Sequence, residues 1–371
     1  MNRFRSFLFA FVTAFWLITF VIQPASLAQE GNWKSGPIKS PALEGNLIGD
    51  AATRSYFVYL PPSYETSEKR YPSFYVLHGY GQGPGLFLVQ TGFKSAMDNM
   101  IKDGEIGEMI AVLVDAGTFF GGSQYRSSVT IGDHETYITR DLVNHIDANY
   151  RTIVHRESRG ITGFSMGGNG AMHLALKFPN VFSVTVGQAS GGYTLDNDRF
   201  KQRALGTARA DLKDGKGFFQ LPWLAQSMIA RAAVALPNPD NPPLFLDPIA
   251  EVVNGEARLI PEAWEKILTL ALMHDLDSYV NQPIRLNGIK IVHGRADNLT
   301  PIEESQELSQ AMTDLGIDHE FKEHDGGHAF LPEESFQFLS DNLSFELPPP
   351  PTSVQPRAKL ATTWGQIKNT R

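Results

Sequence analysis

The chain contains no cysteine among its 371 residues. This absence excludes disulfide bonds, thiolate metal sites and a cysteine nucleophile together. Charge is also sparse, because charged residues make up only 19% of the chain and sum to a net charge of −8 at pH 7. Binding to nucleic acid needs clustered lysine and arginine, and the sequence has no such cluster. No nucleic-acid partner is therefore expected.

The remaining composition is that of a folded α/β domain. Hydrophobic residues make up 42% of the chain, which excludes bulk disorder, collagen and a coiled coil. No internal repeat is present, and between about residues 45 and 346 short β-type runs alternate with helical patterns. This alternation predicts an α/β fold with a mostly parallel central sheet and helices on both faces.

The N-terminus has the pattern of an export signal. Arg3 and Arg5 precede an uncharged apolar run of 16 residues, 7–22, and Ser26 and Ala28 are small residues at the −3 and −1 positions of a cleavage site. The run is short for a membrane span, which needs about 20 residues. We therefore expect a signal peptide over residues 1–28, cleavage after Ala28, a secreted or periplasmic protein and no stable membrane insertion afterwards. An uncleaved membrane anchor is the alternative.

The C-terminal segment departs from a globular pattern as well. Four consecutive prolines, 348–351, favour an extended chain that cannot join a helix. We interpret residues 347–371 as a Pro-rich linker and loose tail, with a sorting or docking role for the region of Trp364 as the alternative. Residues 29–346 then form the main domain.

The alternation of strands and helices breaks between about residues 191 and 284. This stretch holds proline and glycine clusters and helical patterns at 222–236 and 261–272. Because a compact sheet rarely tolerates so long a plain loop, we expect a helical, cap-like insertion that shapes the substrate pocket. Its aromatic residues, Trp223 among them, either contact an aromatic acyl group or pack the cap.

A G-x-S-x-G motif occupies residues 163–167, with a predicted strand before it and a predicted helix after it. In this context the motif forms a sharp turn that lifts its serine above the sheet, and the flanking glycines avoid Cβ clashes. The motif predicts Ser165 as a catalytic nucleophile. A serine hydroxyl needs a base within hydrogen-bonding reach, and a histidine on a late loop is expected in that role.

Two histidines, His324 and His328, occur on such a loop. His328 follows Gly326-Gly327 and is the predicted base, whereas His324 lies at a strand end and is expected to be structural.

The base in turn needs an acid that fixes its tautomer. Asp297 follows a predicted strand and preserves the chain order serine, aspartate, histidine. Its rivals Asp275 and Asp277 lie in the insertion, and Asp325 is too close to His328 in the chain.

The oxyanion of the intermediate needs two backbone N–H donors. Met166, directly after the nucleophile, and Tyr80, on the loop after an earlier strand, are the predicted donors, with Gly81 as the second choice to Tyr80. The residues predicted to line the substrate pocket are Gly81, Gly122, Ser123 and Trp223. No metal site is predicted, because Asp133, His134 and Glu135 are better explained as the start of a helix.

Several segments together resemble the esterase D and feruloyl-esterase branch of the α/β-hydrolases. They span roughly residues 54–340 in the family's order, and they are Val58-Tyr59-Leu60-Pro61-Pro62-Ser63-Tyr64, Arg70-Tyr71-Pro72, Tyr75-Val76-Leu77-His78-Gly79, Asp147-Ala148-Asn149-Tyr150-Arg151-Thr152, Gly163-Phe164-Ser165-Met166-Gly167-Gly168 and Gly326-Gly327-His328. The resemblance implies the α/β-hydrolase fold and ester hydrolysis through an acyl-enzyme. The insertion and the Pro-rich tail depart from the family pattern.

The sequence thus predicts an exported serine esterase that needs no metal or organic cofactor. Its expected substrates are small-molecule or glycan-linked esters: carbohydrate-acyl, phenolic (feruloyl or acetyl) or small xenobiotic esters. An acyltransferase or serine peptidase with the same triad is one alternative, and an inactive binding protein on a hydrolase scaffold is another. The oligomeric state is left open.

Overall fold

The computed structural model describes residues 30–208 and 215–346. The predicted signal peptide, 1–28, and the predicted tail, 347–371, lie outside the described residues, and both stay predictions. Within the described ranges no helix is both long and apolar enough to cross a bilayer.

The fold is built on one large sheet accompanied by two small hairpins. The strands are β1 (Asn32–Lys39), β2 (Thr53–Leu60), β3 (Ser73–Leu77), β4 (Ile110–Val114), β5 (Ser127–Ser128), β6 (Gly132–Asp133), β7 (Arg159–Phe164), β8 (Val184–Gln188), β9 (Ala250–Val253), β10 (Glu256–Leu259), β11 (Gly288–Gly294) and β12 (Glu320–His324). In the described chain the large sheet has the order β1-β2-β4-β3-β7-β8-β11-β12. The six strands from β4 to β12 are parallel, and β1 and β2 are antiparallel at one edge. The predicted mostly parallel sheet is confirmed.

Helices cover both faces of this sheet. They are α1 (Pro84–Thr91), α2 (Phe93–Lys102), α3 (His134–Thr136), α4 (Val143–Asn149), α5 (Met166–Lys177), α6 (Asp198–Leu205), α7 (Lys216–Gln220), α8 (Trp223–Ala235), α9 (Pro261–Leu268), α10 (Met273–Tyr279), α11 (Ile302–Asp314) and α12 (Pro332–Asn342). A π-helical turn, Tyr137–Leu142, joins α3 to α4. The predicted helices at 222–236 and 261–272 correspond to α8 and α9.

The apolar strands explain why both faces are covered. All five residues of β3 are buried. Tyr75 and Leu77 point into a core shared with α4, α5 and α8. Phe74 and Val76 point into the opposite core, which α1, α2 and α12 complete. Because successive strand residues face opposite sides, a strand that is apolar throughout needs helices on each side.

Regular structure begins earlier than the sequence pattern predicts. The strand β1 precedes residue 45 and pairs antiparallel with β2 over eight residues. Gly36 and Pro37 lie in its middle, and most of its residues are at least partly exposed. Proline is tolerated at a sheet edge because the missing N–H faces solvent. The pairing partner, rather than the composition of β1, therefore makes it a strand.

Outside residues 209–214, the segment between β8 and β11 contains the five helices α6 to α10 and the hairpin β9–β10. A buried charge cluster attaches this segment to α5. His173 on α5 contacts Asp275 on α10 at 2.8 Å through Nδ1 and Glu135 on α3 at 2.7 Å through Nε2. Arg126 adds a hydrogen bond to the Leu270 carbonyl at 2.9 Å. The helix α10 thus rests directly on the helix that begins after Ser165.

A second buried ion pair holds α4 against β7. Asp147 Oδ2 accepts from Arg159 Nη2 at 2.6 Å, and both side chains are about nine-tenths buried. The other oxygen, Asp147 Oδ1, accepts from the Thr152 hydroxyl at 2.7 Å. Removing either partner would leave the other as an unpaired buried charge. The pair therefore holds the first residue of β7, the strand that leads to Ser165, in place.

The substitution Asp147→Ala tests this role. We expect it to lower the free energy of unfolding by roughly 3–5 kcal/mol, because it leaves the Arg159 guanidinium buried without its partner. Urea denaturation measures the loss. The control is Glu65→Ala, which removes an exposed partner of Lys34 and should barely move the midpoint. Equal midpoints for the two variants would contradict the structural role of Asp147.

Candidate active site

The turn between β7 and α5 holds Ser165 in a strained conformation. Its φ is 56° and its ψ is −118°, a combination that a residue with a side chain keeps only when its surroundings enforce it. The Ser165 N–H donates to the Gln188 carbonyl at 2.9 Å, and the Asn169 N–H donates to the Ser165 carbonyl at 3.1 Å. At such a turn the serine side chain projects above the carboxyl edge of the sheet.

Two glycines permit this turn because no Cβ atom fits at their positions. A Cβ on Gly163 would lie 2.1 Å from the Gly167 carbonyl oxygen, and a Cβ on Gly167 would lie 2.1 Å from the Leu77 carbonyl oxygen. The first close approach sets α5 against β7, and the second sets it against the end of β3. The G-x-S-x-G pattern is therefore a packing requirement of this helix.

Asp297 and His328 meet at the same edge of the sheet. They follow the parallel neighbours β11 and β12, and Asp297 Oδ2 accepts from His328 Nδ1 at 2.7 Å. The His328 ring lies 4.7 Å from the ring of Phe164, the residue before Ser165. Ser165 and His328 share no hydrogen bond in the described chain, and such nucleophile–base contacts often tighten only when substrate binds. The structure brings the three predicted catalytic residues together.

The carboxyl group of Asp297 is completely buried, whereas 19% of the His328 side chain is exposed. Burial by itself would raise the pKa of Asp297, but hydrogen bonds from His293, His328 and Thr300 outweigh it and hold this pKa well below its usual range. The backbone N–H groups of Leu299 and Thr300 donate to Asp297 Oδ1 at 2.8 and 2.9 Å. Asp297 therefore faces His328 as a carboxylate.

His293 supports this aspartate, and the sequence analysis gave it no role. The ring is fully buried, with Nε2 at 2.7 Å from the Thr300 carbonyl and 3.4 Å from Asp297 Oδ2. Its Nδ1 lies 2.6 Å from the Ser305 hydroxyl. Because a carbonyl oxygen only accepts, Nε2 carries the proton. In the sequence, the only indication of this role is that His293 stands four residues before Asp297, at the end of the same strand.

The loop after β3 decides between the two candidates for the second oxyanion donor. The Gly81 N–H already donates to the Gly121 carbonyl at 2.9 Å. The Tyr80 N–H has no acceptor among the described residues, and its side chain is fixed by a 2.6 Å hydrogen bond to the Phe120 carbonyl. Met166 is the first residue of α5, so its N–H has no partner within the helix. Tyr80 and Met166 are thus the donors left available.

A narrow pocket of about 40 Å³ opens beside Ser165. Its lining residues come from the strand ends, from α6 and from α8, and they are Tyr80, Gln124, Ser165, Met166, Gly191, Phe200, Arg203, Trp223, Leu224, Ser227, Arg231, Leu299 and Thr300. The Trp223 ring is partly exposed and lies 5.3 Å from the Tyr80 ring, edge to face. The segment between β8 and β11 therefore supplies one wall of the pocket.

The four residues predicted to line the pocket have different positions. Trp223 lies on its wall, whereas Gly81, Gly122 and Ser123 are not among the lining residues of the described chain. A Cβ on Gly122 would lie 2.5 Å from the Met166 sulfur, so this glycine packs against the Met166 side chain. Ser123 is fully buried, and its hydroxyl accepts from the N–H two residues later at 3.1 Å. These two residues support the wall.

The rival acids and bases are engaged elsewhere. His324 Nδ1 accepts from the Gly326 N–H at 3.1 Å, and Asp325 pairs with Arg295 on the surface at 2.7 Å. Asp275 contacts His173, as described above.

The cluster considered for a metal is the beginning of α3, where Asp133 Oδ1 accepts from the Thr136 N–H at 2.9 Å. Residues 30–208 and 215–346 contain no group of three or more such side chains that could hold a metal ion.

Comparison with known sequences gives concordant matches. The family model described as "Putative esterase" matches residues 52–235. Esterase Rv1288 of Mycobacterium tuberculosis is 26% identical over 307 residues, which cover 79% of this chain and 56% of that protein. The endo-1,4-beta-xylanase/feruloyl esterase of Xylanibacter ruminicola is 33% identical over 141 residues, covering 36% of this chain and 19% of that protein. The matched region thus spans about half or less of these relatives.

Solved structures show the same fold. A ferulic acid esterase superposes with a TM-score of 0.54 at 20% identity, covering 85% of this chain and 99% of that chain. An S-formylglutathione hydrolase from Agrobacterium tumefaciens superposes with a TM-score of 0.53 at 16% identity, covering 85% and 97%. The α/β-hydrolase fold is thereby confirmed. The resemblance to the putative esterases is confirmed by the family model and the sequence relatives, and the chain is similar to these esterases on an α/β-hydrolase fold.

Proposed function

We propose that the protein is a carboxylic-ester hydrolase that forms an acyl-enzyme on Ser165. One observation carries the proposal. The hydrogen-bonded pair of Asp297 and His328 lies at the sheet edge where the strained turn presents Ser165. A scaffold protein has no need for a buried carboxylate oriented on a partly exposed imidazole beside a strained serine. The family match supports ester chemistry.

The geometry assigns each group a step. The Nδ1–H group of His328 donates a hydrogen bond to Asp297 and keeps its proton, so Nε2 is the base that takes the Ser165 proton while Oγ attacks the ester carbonyl. Asp297, held as a carboxylate, stabilises the imidazolium that forms. The N–H groups of Tyr80 and Met166 stabilise the oxyanion. His328 then protonates the leaving alcohol, and a water molecule repeats the sequence on the acyl-enzyme.

We further propose that the enzyme acts outside the cytoplasm on carbohydrate-acyl, phenolic or small xenobiotic esters. The export pattern over residues 1–28 supports the location. The names of the similar proteins, a feruloyl esterase among them, support phenolic and polysaccharide-linked esters. The same residues would also serve acyl transfer, which product analysis with a competing alcohol distinguishes from hydrolysis.

Removing the nucleophile gives the first test. We expect Ser165→Ala to lower kcat for 4-nitrophenyl acetate and methyl ferulate by roughly 10⁴ to 10⁶, and to abolish labelling by a fluorophosphonate probe. The matched control is Ser309→Ala on α11. The hydroxyl of this serine contacts His319 and belongs to none of the proposed catalytic groups. Equal labelling of both variants would refute the role of Ser165. A wild-type protein that neither reacts with the probe nor hydrolyses an ester would favour the inactive binding protein.

The acid of the triad gives a second test. Asp297→Asn should lower kcat by about 10³ to 10⁴ with little change in KM, since it removes the carboxylate that orients and stabilises the His328 ring. Steady-state kinetics measure the split between kcat and KM. Asp325→Asn serves as the control, because that carboxyl group lies on the loop that carries His328 but is almost fully exposed. A comparable loss in both variants would remove Asp297 from the mechanism.

The proposed location has its own test. Expression of the full chain in a bacterial host, followed by cell fractionation and N-terminal sequencing, should yield a periplasmic or secreted protein that begins at Gln29. A chain lacking residues 1–28 should remain in the cytoplasm. Recovery of the full-length chain in the membrane fraction would favour the uncleaved anchor.

A further inference from the structure

Two arginines line the pocket beside Ser165, and the proposed mechanism uses neither. Arg203 lies on α6 and Arg231 on α8, and both share the pocket with Ser165 and Met166. Their guanidinium carbons lie 5.0 and 5.3 Å from the centre of the same ring, that of Phe200. The two cations therefore flank one aromatic side chain at the site of the chemistry.

Neither arginine has an ion-pair partner in the described part of the chain. Arg231 has a single long hydrogen bond, from Nη1 to the Ser227 carbonyl at 3.4 Å. Arg203 donates from Nη2 to the Leu299 carbonyl at 2.9 Å, while its buried Nε has no acceptor. Both side chains are partly buried, and because taking an unpaired cation out of water is costly, two such groups together are a feature that structural packing alone does not require.

One buried carboxyl group lies near enough to influence both arginines. Glu304 accepts from the Gly192 N–H at 2.8 Å and is 5% exposed. Burial raises its pKa to about 7, although the Gly192 N–H and the charges of Arg231 and Arg203 oppose the rise. Near pH 7 a single, partly protonated carboxyl group balances only part of two positive charges. Glu304 therefore leaves part of the positive charge of Arg231 and Arg203 unbalanced.

Resting on the proposed function, we infer that this pocket selects esters that carry a carboxylate, bound by Arg231 and Arg203. A guanidinium presents a planar set of donors that matches the two oxygens of a carboxylate, and the remaining donors of Arg231 have no partner among the described residues. The small volume suits a compact charged group. Phe200 and Trp223 supply apolar walls for the carbons between that group and the ester.

Such a carboxylate could belong to the acyl part or to the alcohol part of the ester, and matched substrates distinguish the two. For the acyl part, mono-4-nitrophenyl glutarate is compared with 4-nitrophenyl valerate, which has the same chain length without the charge. For the alcohol part, 4-acetoxybenzoate is compared with 4-acetoxybenzamide. The measured quantity is the ratio of kcat/KM for the charged ester to that for its neutral counterpart, after subtraction of uncatalysed hydrolysis.

We expect the wild-type ratio to exceed about 10 in one of the two comparisons, and Arg231→Gln to lower that ratio at least tenfold. Arg203→Gln should lower it less, because one of its donors is already satisfied by the Leu299 carbonyl. The control is Arg258→Gln, which removes one positive charge from the exposed hairpin β9–β10 and should leave the ratio unchanged. In addition, free glutarate should inhibit the wild-type enzyme competitively, whereas glutaramide should not, a measurement that needs no variant.

The outcomes separate this inference from the function on which it rests. Hydrolysis of neutral esters with no preference for charge in either comparison, or a ratio that survives Arg231→Gln, would overturn the inference and leave the esterase intact. Equal inhibition by glutarate and glutaramide would overturn it as well. Failure of every ester, together with no fluorophosphonate labelling, would instead refute the proposed function.

Discussion

The close contact between α5 and the strands beneath it is the constraint on which the site depends. Backbone atoms of the helix start approach those of β3 and β7 so closely that Gly163 and Gly167 have no room for a Cβ atom. This contact holds the Ser165 backbone at a positive φ, and at such a turn the side chain projects above the edge of the sheet. The same contact makes Met166 the first residue of α5, with its N–H directed away from the helix. The positions of the proposed nucleophile and of one proposed oxyanion donor thus both follow from the same packing contact.

The other half of the site depends on a polar network rather than on apolar packing. Asp297 can remain charged in the interior because His328, Thr300 and His293 all direct hydrogen-bond donors at it. Ser305 and the Thr300 carbonyl hold His293 in turn. A buried network of this kind is stable only when each member is satisfied. The loops after β11 and β12 are therefore held as one unit, which keeps His328 in place beside Phe164.

The sequence predicts well those features whose requirements lie within a few consecutive residues. The turn at Ser165 needs a strand, two glycines and a helix in immediate succession, and the motif displays all of them. Other features depend on distant partners. The sequence ranks Tyr80 before Gly81, but only the folded chain shows that the Gly81 N–H donates to the Gly121 carbonyl. Arg231 occupies an ordinary helical pattern, and only the folded chain brings α8 over the serine.

The edge strand and the buried histidine illustrate the same limit. Strand β1 has few β-forming residues and depends on β2 for its conformation, and His293 acts through side chains several residues away. Local composition carries no record of such partners, because tertiary pairing overrides intrinsic propensity.

The charge cluster around His173 has a consequence for how the pocket can vary. It joins α10 to α5, and Arg126 adds a bond to the chain just before α10. Moving α10 away from α5 would leave buried charges without their partners. Breaking even one buried ion pair is strongly destabilising, so such a movement would be costly. Relatives that exchange this segment for another would need to replace His173 at the same time, so the segment between β8 and β11 and the helix α5 are expected to change as a pair.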